Sequence, residues 1–260
     1  MKFELLTDSL EAVRHELRRG RGFVVVAGVP AEEYTAVCSM FGNIVPQTVA
    51  GDTVYSVRDE GLSIDRDYGR PGVRTSKTSA AFPFHTDSPS RLAGYTPDYI
   101  ALYVMQTAKA GGESLVVNGY QVQEIIRQER PDVLERLQRP FWVDRRAELP
   151  SGEEPVLPVP VLTPGGNGSP LQVRYLRLYI TKGQELNGEP LTSEDIAALD
   201  FFDSVMNRPE VAVTVPLQRR DIQIINNRFL LHSRTAYEDY PEPERKRHYV
   251  RVWICDPVLS

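Results

Sequence analysis

The chain has 260 residues, of which 41% are hydrophobic and 25% are charged. This composition is typical of a globular protein with a substantial core and excludes disordered or fibrous architectures. Thirty Lys and Arg residues oppose 35 Asp and Glu residues, so the formal net charge is -5, and we expect neither nucleic acid nor an anionic membrane surface as a partner.

The N-terminal segment and the cysteines indicate the compartment. Charged residues interrupt the first twenty positions, where a secretory signal needs an unbroken apolar core. Nowhere does the chain have the roughly 18 consecutive apolar residues of a membrane-spanning helix. The two cysteines, Cys38 and Cys255, form no Cys-x-x-Cys pair, which argues against a disulfide framework or a thiolate zinc site. We therefore expect a soluble, cytoplasmic protein.

Short helical and strand patterns alternate in the first part of the chain. Apolar residues recur at helical spacing over 10–17 and 34–41, and a strand is predicted between them over 22–27. Residues 58–80 are rich in Arg, Asp, Gly, Ser and Thr and have no apolar periodicity. We interpret them as a mobile loop and a candidate lid over a pocket.

The centre of the chain reads as strands followed by helices. The β-branched and aromatic runs over 99–106 and 114–118 predict strands. A helical pattern over 122–137 is broken at Pro131. The interval 149–170, which is rich in Pro and Gly, is predicted to be irregular.

One helix and a series of strands are predicted in the last third. Thr192 resembles an N-terminal cap for a helix through 205. The predicted strands are 211–215, 221–226, 229–232 and 248–255. A β-rich core with outer helices predicts an α+β or mainly β fold, a jelly-roll or cupin-like double-stranded β-helix with flanking helices and a long central insertion. Because no repeat or linker occurs, we expect one domain over 1–260.

Two of the four histidines stand where a metal ligand could be placed. His85 and Asp87 are two residues apart, so in extended chain they project from the same face, and His232 closes a predicted strand. If the three converge, they form a two-histidine, one-carboxylate set that leaves three positions of an octahedral iron(II) open. Zinc more often favours a closed tetrahedral set. Taken singly, Asp87 could cap a strand-end turn and His232 could be a hydrogen-bonded core residue.

The last predicted strand carries two arginines on one face. Arg247 and Arg251 alternate with an apolar face that includes His248, and Trp253 shares the arginine face. The arginines lie about 13 Å apart along a strand, so each could clamp a different carboxylate, one of a co-substrate and one of a substrate. Alternatively, Arg247 simply ends the solvated charged run 244–247.

Several short motifs occur together in the order of one enzyme family. They are His85-Thr86-Asp87, Gly111-Gly112-Glu113-Ser114, Asn227-Arg228, Leu231-His232-Ser233-Arg234 and the segment from Arg247 to Arg251. With these motifs the chain resembles the taurine dioxygenase (TauD/TfdA) family of Fe(II)- and 2-oxoglutarate-dependent oxygenases, from about residue 22 to the C-terminus.

The resemblance implies a role for each matching residue. His85, Asp87 and His232 would bind iron. Arg247 would pair with the distal carboxylate of 2-oxoglutarate, and Ser114 would assist it from the place where the family often has a threonine. Arg251 matches the family's second arginine, which lies near the substrate or near the inner carboxylate of 2-oxoglutarate, so both roles stay open for it.

The same resemblance implies that Fe(II), 2-oxoglutarate and O2 are used to oxidise a C–H bond, with release of succinate and CO2. Hydroxylation is the expected outcome, and desaturation, cyclisation or epimerisation are alternatives. Asp87 argues against halogenation, because halogenating relatives carry a small residue at the carboxylate position. If Arg251 contacts the substrate, we expect a small anionic or zwitterionic molecule, such as an amino-acid-like metabolite or natural-product intermediate.

Other classes of protein are weaker alternatives. A cupin-type binding protein without turnover and a zinc hydrolase both lack a reason for paired strand arginines. The loop residues Arg66, Tyr68, Arg70 and Arg74 are equally compatible with solvated charges and identify no substrate. No pattern in the sequence encodes an oligomeric state.

Overall fold

The computed structural model describes residues 9–68, 70, 73–91, 96–146, 152–166 and 170–259, and the backbone of residues 2–3. Its strands are β1 (Lys2–Phe3), β2 (Phe23–Val26), β3 (Asn43–Val45), β4 (Val54–Val57), β5 (Phe82–His85), β6 (Tyr99–Gln106), β7 (Ala110–Gly111), β8 (Ser114–Asn118), β9 (Pro140–Asp144), β10 (Val156–Pro160), β11 (Leu162–Thr163), β12 (Gln172–Val173), β13 (Val213–Val215), β14 (Ile222–Asn226), β15 (Leu230–Arg234), β16 (Tyr237–Glu238) and β17 (His248–Cys255). Its α-helices are α1 (Leu10–Arg19), α2 (Tyr34–Ser39), α3 (Ile64–Asp67), α4 (Gly119–Glu129), α5 (Pro131–Gln138), α6 (Arg177–Leu186) and α7 (Ser193–Met206), and short 3₁₀ helices span Ala31–Glu33, Thr75–Lys77 and Pro243–Arg245.

Two sheets lie at the centre of the molecule. The larger has the strand order β1-β2-β14-β6-β17-β3, with β4 also paired to β17, and the smaller has the order β13-β8-β15-β5. All of these pairings are antiparallel except that of β1 with β2. The predicted β-rich core with outer helices is confirmed.

The large sheet is covered on both faces. Helices α1 and α2 pack on its outer face, where Leu17 and Cys38 join Ile224 and Val252 in one buried cluster. On the inner face, Phe23, Val25 and Ile225 pack against Val116, Phe229 and Leu230 of the smaller sheet and its turn. Since successive residues of a strand point to opposite faces, the arginine face of β17 is turned toward the space between the sheets.

Helices also cover the outer face of the smaller sheet. Between β8 and β13, helices α4, α5 and α7 pack on the smaller sheet together with β9. Val117 and Leu231 of the smaller sheet share one buried cluster with Ile126 and Phe202 of these helices. Of the helices that the structure describes, none is long and apolar enough to cross a membrane.

The prediction of an irregular chain over 149–170 is wrong for part of this interval. Strands β10 and β11 lie within it, and β10 pairs with β9, whereas residues 149–151 and 167–169 lie outside the described part. Pro158 and Pro160 concealed β10 because proline usually opposes a strand. The two-stranded β9–β10 ribbon accepts them, since proline is tolerated at the edge of a sheet.

Helix α6 was not predicted, because Gly183 interrupts its apolar pattern. That glycine is required by packing, since a Cβ atom at this position would lie 2.4 Å from the main-chain oxygen of Trp142 in β9. Glycine lowers the stability of an isolated helix, but here it allows the helix to approach the strand closely. The tertiary contact therefore overrides the local propensity.

The loop over 58–80 contains more structure than predicted, although residues 69, 71 and 72 lie outside the described part. Helix α3 and one 3₁₀ helix form within it. The hydroxyl of Tyr68 donates to Asp144 at 2.5 Å, and Arg146 donates to the main-chain oxygen of Val73 at 2.6 Å. The loop is thus attached to the end of β9.

Candidate active site

A cluster of two histidines and one aspartate lies between the two sheets. His85 ends β5 and faces His232 of β15 in the register of the smaller sheet. Their Nε2 atoms are 2.8 Å apart, and Oδ1 of Asp87 lies 3.6 Å from each of them. All three residues are buried. The convergence on which the sequence-based hypothesis depends is therefore present.

Neighbouring groups determine which atoms of this cluster face one another. Nδ1 of His85 donates to the main-chain oxygen of Pro83 at 2.8 Å, which leaves Nε2 with its lone pair. Oδ2 of Asp87 accepts from Nε1 of Trp253 at 2.8 Å and from Nη1 of Arg251 at 2.9 Å, which leaves Oδ1 toward the histidines. Such outer hydrogen bonds typically orient metal ligands.

The protonation states also suit a metal ion. Burial and the neighbouring His232 lower the pKa of His85 to about 4. Burial opposes ionisation of Asp87, but the charge of Arg251 and the hydrogen bonds with both histidines hold its pKa well below the usual value. His85 thus offers a neutral imidazole and Asp87 an ionised carboxylate, the forms that bind metals. Because their ligand atoms lie within 4.8 Å of one another, the residues fit one iron(II) ion.

The backbone around Asp87 is fixed by a residue to which sequence reasoning gave no role. Oδ1 of Asn227 accepts from the N–H of Asp87 at 2.8 Å, and Nδ2 donates to its carbonyl oxygen at 3.0 Å. Thr86 bonds to the backbone of Tyr175 on the other side. Asn227 stands in one of the motifs named above, and that position was the only signal for it.

A cavity behind the histidines contains a set of buried donors. It is lined among others by His85, His232, Ser114, Arg234, Arg247 and Arg251. Arg247 is only 4% exposed, and its guanidinium lies over the ring of Tyr249 at 3.7 Å. Within the described part of the chain, its Nε and Nη1 have no hydrogen-bond acceptor. Buried donors without an acceptor are rare, and these are suited to an anionic ligand.

The other two predicted co-substrate residues line the same cavity. Ser114 donates its hydroxyl proton to Oε1 of Gln223 at 2.8 Å. Arg251 donates from Nε to Gln47 at 2.7 Å and from Nη1 to Asp87. Arg251 therefore contacts the carboxylate of the cluster formed by His85, Asp87 and His232. Nothing in the sequence indicated Gln47, because this residue, which follows β3, meets β17 only in the tertiary fold.

A second cavity of about 300 Å³ opens on the other side of the cluster. Its walls include Gln47, Asp52, Arg74, Leu176, Tyr179 and Trp253. Nη1 of Arg74 donates to the hydroxyl of Tyr179 at 3.1 Å. The size is within the range of pockets for small molecules.

The loop arginines differ in their placement. Arg66 and Arg70 are largely exposed and pair with Asp67 at 2.7 and 2.8 Å. Arg74 instead lines the cavity beside the cluster. Sequence alone did not separate these residues, because only the path of the loop decides which side chain faces inward.

The sequence matches one protein family and is similar to individual enzymes. Residues 1–253 match the family described as "Taurine catabolism dioxygenase TauD, TfdA family". The chain is 30% identical over 251 residues to FR-33289 synthase of Streptomyces rubellomurinus, covering 92% of this chain and 70% of that protein. It is 28% identical over 178 residues to a uridine-5'-phosphate dioxygenase of Streptomyces sp, covering 67% of this chain and 61% of that protein.

Solved structures with little sequence identity share the fold. An asparagine oxygenase in complex with Fe(II), 2S,3S-3-hydroxyasparagine and succinate has a TM-score of 0.71 and 18% identity, over 95% of this chain and 78% of that one. A point mutant of the non-heme iron oxygenase OrfP, in complex with (3S)-hydroxy-L-Arg, has a TM-score of 0.65 and 15% identity, over 95% and 80%.

Proposed function

Because the chain belongs to the TauD/TfdA family of oxidoreductases, which use Fe(II), 2-oxoglutarate and O2, we propose that it hydroxylates an unactivated C–H bond of a small molecule. The observation that carries this proposal is the buried cluster of His85, Asp87 and His232. It lies between a cavity that holds two donors of Arg247 without an acceptor among the described residues and a second, larger cavity. One cavity suits the co-substrate and the other the substrate.

We assign Nε2 of His85, Oδ1 of Asp87 and Nε2 of His232 as the iron ligands. With iron and 2-oxoglutarate held there, O2 would be the oxidant: 2-oxoglutarate would supply two electrons as it loses CO2 and becomes succinate, one oxygen atom would enter succinate, and the other would enter the C–H bond. Arg251 and Trp253 hold Oδ2 of the carboxylate and so keep its other oxygen directed to the histidines. The surrounding sheets bury the three ligand residues and so limit their contact with water.

We assign Arg247 to the distal carboxylate of 2-oxoglutarate, with Ser114 beside it. A guanidinium matches a carboxylate with two parallel hydrogen bonds, and burial strengthens them. We further propose that the two facing sheets form a double-stranded β-helix and that residues 1–260 act as one catalytic domain, since the site combines residues from β5, β8, β15 and β17.

The substrate that we propose is small and anionic or amino-acid-like. The uridine-5'-phosphate dioxygenase is named for an anionic substrate, and the asparagine oxygenase and OrfP structures hold hydroxylated amino acids. Because Arg74 lines the larger cavity, we infer that it binds an anionic group of the substrate. Tyr179, which accepts a hydrogen bond from Arg74, lies beside it.

Arg74→Ala is expected to lower kcat/KM for the substrate by about 10- to 150-fold, the value of one lost hydrogen bond to a charged group. The substrate is first found by screening anionic and amino-acid metabolites for succinate release above the uncoupled rate. The affinity for 2-oxoglutarate should stay unchanged. Arg70→Ala, which removes an exposed loop arginine, is the matched control, and equal kinetics in the two variants would reject the assignment of Arg74.

The proposed reaction is tested by anaerobic addition of Fe(II) and 2-oxoglutarate. We expect the weak visible charge-transfer band of the iron–keto-acid chelate, followed by release of succinate in air. A cupin-type binding protein or a zinc hydrolase would release no succinate. With the substrate, the product mass separates the outcomes: hydroxylation adds one oxygen atom, desaturation or cyclisation removes two hydrogens, and epimerisation leaves the mass unchanged.

A further inference from the structure

A second arginine shares the cavity of Arg247. Arg234 follows His232 by two residues in β15, so both side chains point to the same face of the strand. Arg234 is 8% exposed and lines the cavity behind the histidines. The ring of Tyr237 lies close to both guanidinium groups, 4.9 Å from that of Arg234 and 5.0 Å from that of Arg247.

The unpartnered polar atoms around these arginines share one property. In the part of the chain that the structure describes, Nε of Arg234, Nε and Nη1 of Arg247 and the hydroxyl of Tyr237 are buried without a hydrogen-bond partner. Every one of these atoms carries a proton that it can donate. A site that offers several buried donors and two cations matches an anion with several acceptor oxygens.

Arg234 also contacts the loop between the two cavities. Its Nη2 donates to the main-chain oxygens of Thr78, at 2.7 Å, and Ala80. Residues 75–80 form this part of the loop, and Ser76 within it lines both the cavity of Arg247 and the larger cavity. The N–H of Tyr237 donates to the main-chain oxygen of Ser79 at 3.0 Å. A change at Arg234 therefore reaches the wall of the substrate cavity.

We propose that Arg234 is a positioning residue that supplies a second cation, besides Arg247, to the distal carboxylate of 2-oxoglutarate. Because Arg234 also binds the main-chain oxygens of Thr78 and Ala80, the order of residues 75–80 then depends on whether the co-substrate is bound. This inference rests on the proposed function. Two buried cations repel each other until an anion neutralises them.

The coupling has a consequence for the order of binding. Without 2-oxoglutarate, repulsion from Arg247 weakens the hold of Arg234 on the loop. With 2-oxoglutarate, both arginines are neutralised, and the contacts of Arg234 with Thr78 and Ala80 should become stronger. The substrate should therefore bind more tightly after the co-substrate, and by linkage the substrate should tighten the co-substrate by the same factor.

The experiment uses the full-length protein with Fe(II) under anaerobic conditions and 2-oxoglutarate as the probe. Two quantities are measured: the Kd for 2-oxoglutarate and the hydrogen–deuterium exchange of the amides over 74–82. In the wild type, 2-oxoglutarate should slow this exchange. In Arg234→Gln, the Kd should rise by at least about 10-fold, and 2-oxoglutarate should no longer slow the exchange.

Two further variants keep the test decisive. Arg219→Gln removes an exposed arginine of the same chain and should behave as the wild type. Arg234→Lys retains a cation but lacks the planar group that can donate to two carbonyl oxygens. The Kd for 2-oxoglutarate should therefore rise less than in Arg234→Gln, and 2-oxoglutarate should slow the exchange over 74–82 less than in the wild type. Arg234→Lys serves as the test if the glutamine variant does not fold.

Opposite results have distinct meanings. If Arg234→Gln speeds exchange over 74–82 equally with and without 2-oxoglutarate and leaves the Kd unchanged, Arg234 is only structural and the inference is overturned. The inference is also overturned if 2-oxoglutarate slows the hydrogen–deuterium exchange over 74–82 as much in Arg234→Lys as in the wild type. If the wild-type protein itself does not bind 2-oxoglutarate, the proposed function fails instead.

Discussion

Asp87→Ala is expected to abolish iron binding and succinate release. The substitution removes the only carboxylate of the cluster and leaves two imidazoles, His85 and His232, to hold the ion. Loss of a group that merely orients a ligand lowers metal affinity by about 10- to 100-fold, so loss of the ligand itself should cost at least the upper value. Iron affinity of the metal-free protein and succinate formation in air measure the two effects.

The same substitution should also destabilise the protein. Oδ2 of Asp87 is the acceptor for Arg251 and for the indole of Trp253, so alanine leaves the half-buried guanidinium without its counter-ion and the buried indole N–H without an acceptor. Breaking a buried ion pair typically costs about 3 to 5 kcal/mol. Asp87→Asn retains an acceptor oxygen for these donors and separates the loss of the metal from a loss of folding.

The control for this pair is Asp65→Ala, which removes an exposed carboxylate from α3. It should bind iron and release succinate as the wild type does. Normal iron affinity in Asp87→Ala, measured on folded protein, would contradict the assignment of the carboxylate as a ligand. Iron binding without succinate release would point instead to a role of Asp87 after metal binding.

Arg247→Ala is expected to raise the Kd for 2-oxoglutarate by about 10- to 150-fold, which corresponds to about 1.5 to 3 kcal/mol for a hydrogen bond to a charged group. The reason is that the guanidinium is buried in the cavity and its Nε and Nη1 donate to no described residue. Iron affinity should not change, because Arg247 is not part of the ligand cluster. Anaerobic titration of the charge-transfer band measures the Kd.

Two comparisons sharpen this prediction. Arg245→Ala makes the same change of charge two residues earlier, at an exposed side chain that stacks on Tyr240 at 3.7 Å, and should leave the Kd unchanged. Arg247→Lys keeps the charge without the two parallel donors and should fall between alanine and the wild type. Equal Kd values for Arg247→Ala and Arg245→Ala would remove Arg247 from the co-substrate site.

Several elements of the fold were predictable because their signals are local. The strands over 99–106, 114–118 and 248–255 have the predicted bounds, since alternation and turn residues mark both ends of a strand. The break between α4 and α5 falls at Pro131. Strand β10 and helix α6 escaped prediction because each depends on β9 as a packing partner, and local propensity opposes both.

The candidate residues were also identified largely from sequence. The spacing of His85 and Asp87, the position of His232 at a strand end and the two arginines of β17 are visible in the chain. Their convergence is not, because residues 85 and 232 meet only when β5 and β15 pair in the smaller sheet. The same pairing decides that Nε2 atoms 147 positions apart in sequence are 2.8 Å apart in space.

The sequence by itself determined the types of reactive side chain, the faces of the strands that carry them and the family. The tertiary structure alone decided their partners: Arg251 pairs with Asp87, Arg74 lines the larger cavity while Arg70 stays exposed, and Arg234 shares a cavity with Arg247. The physical reason is that strand periodicity is local, whereas a side chain's charge partner depends on which distant strands and loops pack against it.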